Sequence, residues 1–287
     1  MMRVMCATYG CTDAHEAFYS GLIGRLACGD RRLPSSRSFR RPTRPTAKGS
    51  RTMKTMRTVL KGAWVATAMA AAVVTAAGTA SAANTDVVTA AASGAGSRAF
   101  ALTIDDGPSP TWTNQVLDLL KDREVKATFC VIGDHARQYP DLIRRIVDEG
   151  HSLCNHSMHH VNPTTQSPDQ QRSDIQEASD AIRAAAPGAS IDFYRAPEGG
   201  WTDDAKQYAA SQGMQPIGWS VDTEDWRRPG ADAIFENYKR AFQGGGVILM
   251  HDGSQENDRS QSVEAMGRIL EDLSNNGYYD DRPAVLG

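Results

Sequence analysis

Residues 99–106 read AFALTIDD, and this stretch decides the fold class because an apolar run leads directly into two carboxylates, Asp105 and Asp106. Short runs rich in β-branched and aromatic residues are typical of strands buried on both faces of a parallel sheet. Five later segments follow the same pattern: ATFCVIG (127–133), HSLCN (151–155), FYRA (193–196), PIGWSV (216–221) and GVILMH (246–251). The sequence therefore predicts a series of buried parallel strands.

Segments with helical periodicity separate these strands. Apolar residues spaced as on one helix face recur in residues 116–120, 142–147, 175–182 and 263–273. Alternating strands and helices imply a parallel sheet with crossover helices. Residues 99–287 are too few for a complete eight-fold barrel of roughly 250 residues. We therefore predict an α/β fold, a single domain built as a distorted or incomplete (β/α) barrel with parallel strands; the alternative is a doubly wound open sheet.

The amino-terminal third differs from the rest of the chain. Residues 1–52 contain an Arg-rich run without apolar periodicity, and we interpret them as a non-native extension. In residues 53–82, basic residues precede an uncharged Ala-rich stretch that ends in Ala80-Ser81-Ala82, as in a cleavable signal peptide. The stretch is too weakly apolar to favour a membrane anchor. We therefore predict a secreted, extracellular protein with a linker over 83–98 and a folded domain over 99–287.

The charge distribution bears on the choice of partner. Residues 1–82 hold 13 of the 31 Lys and Arg residues but only 3 of the 34 Asp and Glu residues. Residues 83–287 therefore hold 18 basic and 31 acidic residues, a formal net charge of −13. Such a surface repels phosphate backbones, so we expect no nucleic-acid partner and favour a neutral or cationic substrate.

Only two of the five cysteines, Cys130 and Cys154, lie within the predicted domain. In an exported protein they could form one disulfide, whereas their apolar surroundings suit buried free thiols equally well. The residues alone leave both states open.

Ionisable residues interrupt the apolar runs at the carboxyl ends of the predicted strands. In parallel α/β architectures those ends converge on one rim, where active sites are built. The residues concerned are Asp105, Asp106, His156, Arg195, Asp222, Asp225, His251 and Asp252. Any one of them has a simple structural explanation as a turn, a loop or an ion pair, but their joint placement predicts an active site.

The residue types in this set point to metal chemistry. His156 and His160 stand at i and i+4, so both can coordinate one metal ion when a carboxylate supplies a third ligand. One of two adjacent carboxylates can then bind the cation while the other handles a proton. His251 ends a very apolar strand and becomes a general acid if an acidic partner holds it. We assign no functional role to His135, His151 or His159.

Five ordered segments resemble the motifs of the polysaccharide deacetylase family, the NodB-homology deacetylases also called carbohydrate esterase family 4. They are TIDDGPS (103–109), HSMHH (156–160), RAPEG (195–199), DTEDW (222–226) and LMH (249–251). The resemblance spans residues 99–275. It implies the distorted (β/α) barrel of that family and a metal-dependent catalytic domain that removes N- or O-acetyl groups from a glycan.

The resemblance also implies the chemical roles at the centre of the site. Asp106, His156 and His160 would bind a divalent metal ion, usually zinc in this family. Asp105 would be the general base that activates water, and His251 would be the general acid that protonates the leaving group.

Further motif residues would support these groups or contact the substrate. Arg195 would orient Asp105, and Asp225 would tune His251. The substrate pocket would contain Pro197, Glu198, Trp226 and Leu249, with the backbone N–H of Glu198 stabilising the oxyanion. Glu198 stands where the family more often has an aromatic residue, so its charge could change which sugar is accepted or favour a partly deacetylated chain.

We therefore expect an enzyme, a glycan N-deacetylase that acts on N-acetylglucosamine in chitin oligosaccharides or peptidoglycan. An O-acetyl esterase of acetylated xylan is the nearest alternative. The alcohol of an ester leaves with little help from His251, whereas the amine of an amide does not. A catalytically weak glycan-binding protein would lack a base or a ligand, yet all of those positions are filled. A metal-dependent phosphoesterase would need a more basic site than one Arg in an acidic domain provides. We expect a monomer with one catalytic domain and no stable membrane anchor.

Overall fold

The fold is built around a parallel sheet. The structure is a computed structural model that describes residues 84–253 and 258–286. The strands are β1 (Ala99–Asp105), β2 (Thr128–Val131), β3 (Ser152–Asn155), β4 (Phe193–Tyr194), β5 (Gln215–Pro216), β6 (Val221–Asp222), β7 (Val247–His251) and β8 (Tyr279–Asp280). Their hydrogen-bonded order is β5-β4-β3-β2-β1-β7-β6, and β8 pairs with β1. Every pairing between these strands is parallel.

The two edge strands give the barrel its incomplete form. β5 and β6 lie at opposite ends of the sheet, yet only residues 217–220 separate them along the chain. The sheet therefore curves back on itself, which confirms the predicted distorted (β/α) barrel over the doubly wound alternative. The single strand predicted over 216–221 is wrong, because its first residue pairs with β4 and its last pairs with β7.

Helices surround this sheet and cover its apolar side chains. The described helices are α1 (Trp112–Asp122), α2 (Gly133–Gln138), α3 (Pro140–Asp148), α4 (Pro168–Ala185), α5 (Asp203–Ser211), α6 (Ala231–Ala241) and α7 (Ser260–Asn275). Short 3-10 turns add Pro163–Thr165, Pro197–Gly199 and Asp225–Arg227. The periodic segments of the sequence fall in α1, α3, α4 and α7, and their apolar faces join one large core.

All of the described residues fall within one compact unit. The predicted amino-terminal extension (1–52) and signal peptide (53–82) lie outside the described residues. Over residues 84–253 and 258–286, no helix combines the length and apolar character that crossing a membrane requires.

Residues 88–91 pack on the sheet, although their composition predicted a linker over 83–98. Val88 is buried and pairs with Ile217, and its carbonyl oxygen accepts a hydrogen bond from the Gly218 N–H at 2.8 Å. Backbone pairing requires no particular side chain, so the Ala-, Ser- and Thr-rich composition of this stretch could not indicate that it pairs with the sheet. This part of the predicted linker therefore belongs to the folded domain.

Cys130 in β2 and Cys154 in β3 form a disulfide. The two residues are partners in the strand register, and both are fully buried. Of the two states that the sequence left open, the structure therefore has the disulfide.

We expect the Cys130→Ala/Cys154→Ala double variant to lose about 3 kcal/mol of unfolding free energy. The crosslink joins residues separated by 24 positions, so it restricts the unfolded chain. Denaturant titration measures the loss, and the reduced wild-type protein is the matched control. Equal unfolding free energies for the oxidised and reduced wild type would contradict this expectation.

Candidate active site

The carboxyl ends of the strands surround a cavity of about 630 Å³. Eight predicted site residues line it: Asp105, Asp106, His156, His160, Glu198, Trp226, Leu249 and His251. The other three, Arg195, Pro197 and Asp225, are buried beside residues that line it. The structure thus brings all of the predicted site residues to one rim of the barrel.

Three of these side chains converge on one point of the cavity. Asp106 Oδ1 lies 3.2 Å from His160 Nε2 and 3.4 Å from His156 Nε2. One ligand atom from each residue falls within 4.8 Å of the others. Tetrahedral ligands that stand about 2.1 Å from a zinc ion are about 3.4 Å apart. The spacing of these atoms therefore fits a divalent metal ion.

The hydrogen bonding of His156 also fits metal binding. Its Nδ1 lies 2.8 Å from the carbonyl oxygen of Arg195, which can only accept a hydrogen bond. Nδ1 therefore donates in this hydrogen bond, which orients the ring so that Nε2 faces Asp106 and is the nitrogen available to a metal ion. Asp106 Oδ1 is buried and has no hydrogen-bond partner among the described residues. A cation would satisfy both atoms at once.

The same groups shift one another's pKa values in the metal-free chain. Burial raises the pKa of Asp106, but the adjoining imidazoles of His156 and His160 and the charge of His251 hold it well below its usual value. Burial lowers the pKa of His160, yet the adjoining carboxylate of Asp106 raises it overall. Protons therefore compete with a metal ion for these ligands, and acid weakens metal binding.

Left-handed backbone conformations concentrate at the site. Asp106 (φ 73°), Ser157 (φ 64°), His160 (φ 55°) and Glu198 (φ 55°) all lie in a region that non-glycine residues rarely adopt. Each such residue costs roughly 1–3 kcal/mol and persists only when its surroundings hold it. Asp106 is held in part by His135, whose Nδ1 donates to the Asp106 carbonyl oxygen at 2.8 Å.

A buried ion pair fixes Asp105. Arg195 is completely buried, and its NH1 donates to Asp105 Oδ1 at 2.6 Å. The guanidinium also donates to three further oxygens: Thr103 Oγ1 at 2.8 Å, Ile217 O at 3.2 Å and Gly218 O at 2.8 Å. One oxygen of Asp105 is therefore fixed, while Oδ2 lies 3.7 Å from His156 Nε2 and can accept a proton at the cavity.

A second buried pair joins His251 and Asp225. Asp225 Oδ1 accepts a hydrogen bond from His251 Nδ1 at 2.7 Å, and Oδ2 accepts one from the His251 backbone N–H at 2.9 Å. Burial lowers the pKa of His251, but the charge and hydrogen bond of Asp225 raise it overall to about 9. His251 is therefore an imidazolium at neutral pH and can donate a proton at the cavity.

Apolar side chains form part of the cavity wall. Leu249 is buried, whereas Trp226 is 47% exposed. The guanidinium of Arg227 lies over the Trp226 ring, with its Cζ 4.5 Å from the ring centroid. Trp219, to which we assigned no role from the sequence, also lines the cavity and packs against Gly199. An apolar wall of this kind suits a methyl group or the face of a sugar ring.

Two positioning residues were not predicted from the sequence although they lie near the motifs. We assigned no role to His135, yet it supports the backbone of Asp106 through the hydrogen bond described above. Thr103 accepts from Arg195 and donates to the Ile248 carbonyl oxygen at 2.8 Å. Thr103 belongs to a predicted strand and could have been found as a polar residue in a buried run. His159 instead pairs with Asp134 at 2.7 Å, outside the cavity lining.

Two other residues beside the site make contacts that the sequence did not predict, although Asp252 belongs to the set of ionisable residues predicted at the strand ends. Arg259 lines the cavity, and its Nε donates to the Gly253 carbonyl oxygen at 3.0 Å. Asp252 is fully buried and accepts a hydrogen bond from Thr113 Oγ1 at 2.6 Å. Burial raises the pKa of Asp252 to about 7. The Asp252 contact joins segments that are far apart in the chain, and neither contact follows from the spacing of residues.

Known proteins resemble this chain in sequence and in structure. Residues 92–217 match the profile of the family described as polysaccharide deacetylase. The chitooligosaccharide deacetylase of Sinorhizobium fredii (strain NBRC 101917 / NGR234) is 40% identical over 194 residues, which cover 65% of this chain and 90% of that protein. A peptidoglycan-N-acetylglucosamine deacetylase of Bacillus cereus (strain ATCC 14579) is 36% identical over 182 residues, with coverage of 62% and 83%.

A solved structure shares the barrel. The crystal structure of the Bc1960 peptidoglycan N-acetylglucosamine deacetylase superimposes with a TM-score of 0.63 at 31% identity, covering 68% of this chain and 89% of that one. Deacetylases of this family are in general metal-dependent, in keeping with the Asp106, His156 and His160 cluster. The chain therefore belongs to the polysaccharide deacetylase family, carbohydrate esterase family 4, and is a hydrolase of carbon–nitrogen bonds other than peptide bonds.

Proposed function

We propose that the protein is a secreted, zinc-dependent deacetylase that hydrolyses N-acetyl groups of N-acetylglucosamine residues in chitin oligosaccharides or peptidoglycan. The observation that carries this proposal is the His251–Asp225 pair at the cavity that holds the three candidate metal ligands. An amine leaves readily only when it is protonated, whereas an ester alcohol needs less help. A buried imidazolium therefore favours amide cleavage over O-acetyl ester cleavage.

Asp106, His156 and His160 form the donor set for the metal. Two imidazole nitrogens and one carboxylate oxygen are a common ligand set of catalytic zinc sites, which keep a further position open. With zinc held by these residues, the site would gain a Lewis acid that polarises the acetyl carbonyl and lowers the pKa of a water molecule. The donor set supports zinc over hard cations such as magnesium, which prefer oxygen ligands alone.

Asp105 acts as the general base. Its Oδ1 is held by Arg195, so its remaining oxygen keeps a fixed direction when it takes the proton of the attacking water. A base held in place loses little entropy in the transition state. We assign to the backbone N–H of Glu198 the stabilisation of the oxyanion that forms on the acetyl group.

His251 acts as the general acid and transfers a proton to the leaving nitrogen. Asp225 fixes the tautomer of the ring through Nδ1, so Nε2 carries the proton that is donated. The acetyl methyl group fits against Leu249 and Trp226, the apolar part of the cavity wall. The products are acetate and a glucosamine residue in the chain.

The substrate class rests on the relatives and on charge. The proteins similar to this chain are named for chitooligosaccharides and for peptidoglycan N-acetylglucosamine. Both contain N-acetylglucosamine, which is neutral and suits the acidic composition of residues 83–287. Both glycans are candidate substrates, because the proposed roles of the cavity residues involve only the sugar and its acetyl group, which the two substrates share.

Export is supported by two independent features. Residues 53–82 have the charge and apolar pattern of a signal peptide. The Cys130–Cys154 disulfide is typical of proteins that fold in oxidising compartments.

We expect the exported protein to begin at Ala83, because cleavage should follow the small residues Ala80-Ser81-Ala82. Amino-terminal sequencing of the protein recovered from the culture medium measures this. A variant with Ala80→Phe and Ala82→Phe is the matched control and should remain uncleaved. Recovery of an extracellular protein that retains residues before Met53 would contradict the prediction.

We expect the zinc-loaded wild type to release acetate from chitopentaose or peptidoglycan, and the Asp105→Asn variant to lose about a hundred- to ten-thousand-fold in kcat. Asparagine cannot accept the proton, but it retains the shape of the side chain. Acetate release and bound zinc are measured on the same samples, and Asp122→Asn on the protein surface is the control. Acetate release from acetylxylan alone would instead establish an esterase.

The pH profile tests the role of His251. The raised pKa of His251 keeps it protonated through neutral pH, so amide hydrolysis should decline only as pH rises through that pKa. In Asp225→Asn the counter-charge is lost, the pKa of His251 falls, and we expect the alkaline limb to move down by about one to three pH units. O-acetyl substrates serve as the control and should respond less. An unchanged alkaline limb would show that His251 does not set it.

A further inference from the structure

Glu198 carries a negative charge at the cavity that the chemistry above does not use. Its side chain is exposed at the rim, and it forms no ion pair within residues 84–253 and 258–286. Two buried carboxylates at the site have ionic partners: Asp105 pairs with Arg195, and Asp225 pairs with His251. Glu198 therefore differs from them in facing the substrate space with an uncompensated charge.

The carboxylate of Glu198 is oriented rather than free. Its Oε2 accepts a hydrogen bond from Asn162 Nδ2 at 3.0 Å. Asn162 is itself held, because its Oδ1 accepts from the Thr164 N–H at 3.0 Å and from Thr164 Oγ1 at 2.7 Å. Gly200 packs so closely on Asn162 that a Cβ at position 200 would clash with Oδ1. This arrangement leaves Oε1 available for a ligand.

The neighbouring carboxylate Asp222 differs in its contacts. Asp222 also lines the cavity, but its Oδ1 accepts a hydrogen bond from the Glu224 N–H at 2.8 Å and so supports the turn before Asp225. Among the described residues, the Glu198 side chain accepts no hydrogen bond from the backbone of another segment.

The reaction itself produces a cation of the right kind. Removal of an acetyl group leaves a primary amine on the sugar, and protonation of that amine gives an ammonium group. A glycan that has been hydrolysed at one position therefore carries an ammonium group beside residues that are still acetylated. An oriented carboxylate at the rim is complementary to that group.

We propose that Glu198 binds the ammonium group of a glucosamine residue that neighbours the N-acetylglucosamine being hydrolysed. This inference rests on the proposed function. Its consequence is a preference for chains that are already partly deacetylated, so that one product site promotes the next reaction. A neutral sugar hydroxyl could also bond to Glu198, but it would give no such preference.

The first test compares two pentamers, fully acetylated chitopentaose and a pentamer with one glucosamine residue of known position. Isomers with the glucosamine on either side of the scissile residue are each assayed. We expect the wild type to favour one of these isomers over fully acetylated chitopentaose. Glu198→Gln should reduce the ratio of the two kcat/KM values about fivefold, which corresponds to the strength of an exposed ion pair. High salt should reduce the wild-type ratio in the same direction. Glu177→Gln removes an exposed carboxylate on α4 and should leave the ratio unchanged.

The second test measures binding without turnover. The fully deacetylated pentamer, which holds no acetyl group, is titrated into the zinc-loaded protein by calorimetry. We expect Glu198→Gln to weaken its binding about fivefold and Glu198→Asp to retain part of the affinity. Equal effects of Glu198→Gln on acetylated and deacetylated pentamers would overturn the inference and indicate a hydrogen bond to a neutral group.

The two proposals fail in different ways. An active wild type whose substrate ratio does not depend on Glu198 refutes this inference alone. A zinc-loaded wild type without activity on any N-acetylated glycan refutes the proposed function. The calorimetric comparison then still decides whether Glu198 recognises an ammonium group.

Discussion

A buried guanidinium holds the site together. Arg195 has no exposed surface and donates to the side chains of Asp105 and Thr103 and to the carbonyl oxygens of residues 217 and 218. Its own carbonyl oxygen fixes the ring of His156. A buried charge costs several kcal/mol unless its donors are satisfied, so these partners cannot move independently. The proposed general base Asp105, the candidate metal ligand His156 and the segment that joins the two sheet edges therefore depend on one residue.

The charges of the site divide between its floor and its rim. On the floor, Asp105 and Arg195 form one buried pair, and Asp225 and His251 form another. Compensated, fixed charges of this kind stabilise a developing charge without reorganisation during the reaction. At the rim, Glu198 is exposed and hydrated, so exchanging water for a ligand costs little. The two buried pairs on the floor are thus suited to stabilising the reaction, and Glu198 at the rim is suited to selecting the glycan.

How far the sequence predicts this arrangement depends on the kind of contact. Strand ends such as Asp105 and His251 were predictable because buried parallel strands are continuous apolar runs, so a polar residue after them is visible. The family resemblance then supplied the roles. The His135 contact depends on how α2 packs beside the turn after β1, which no spacing rule reports. Residues 88–91 contribute through backbone hydrogen bonds, which leave no trace in composition.

The pairing of Val88 connects the amino-terminal edge of the domain to its chemistry. The Gly218 N–H donates to the Val88 carbonyl oxygen, and the Gly218 carbonyl oxygen accepts from Arg195, which holds Asp105. Each of these hydrogen bonds positions the group that makes the next one, so a shift at Val88 would be passed on to Asp105. Trimming the chain to Ala99, where the predicted folded domain begins, would remove the outer support of the peptide that anchors the guanidinium. The smallest unit that keeps Asp105 in place therefore starts upstream of the first motif, in a stretch to which we assign no functional side chain.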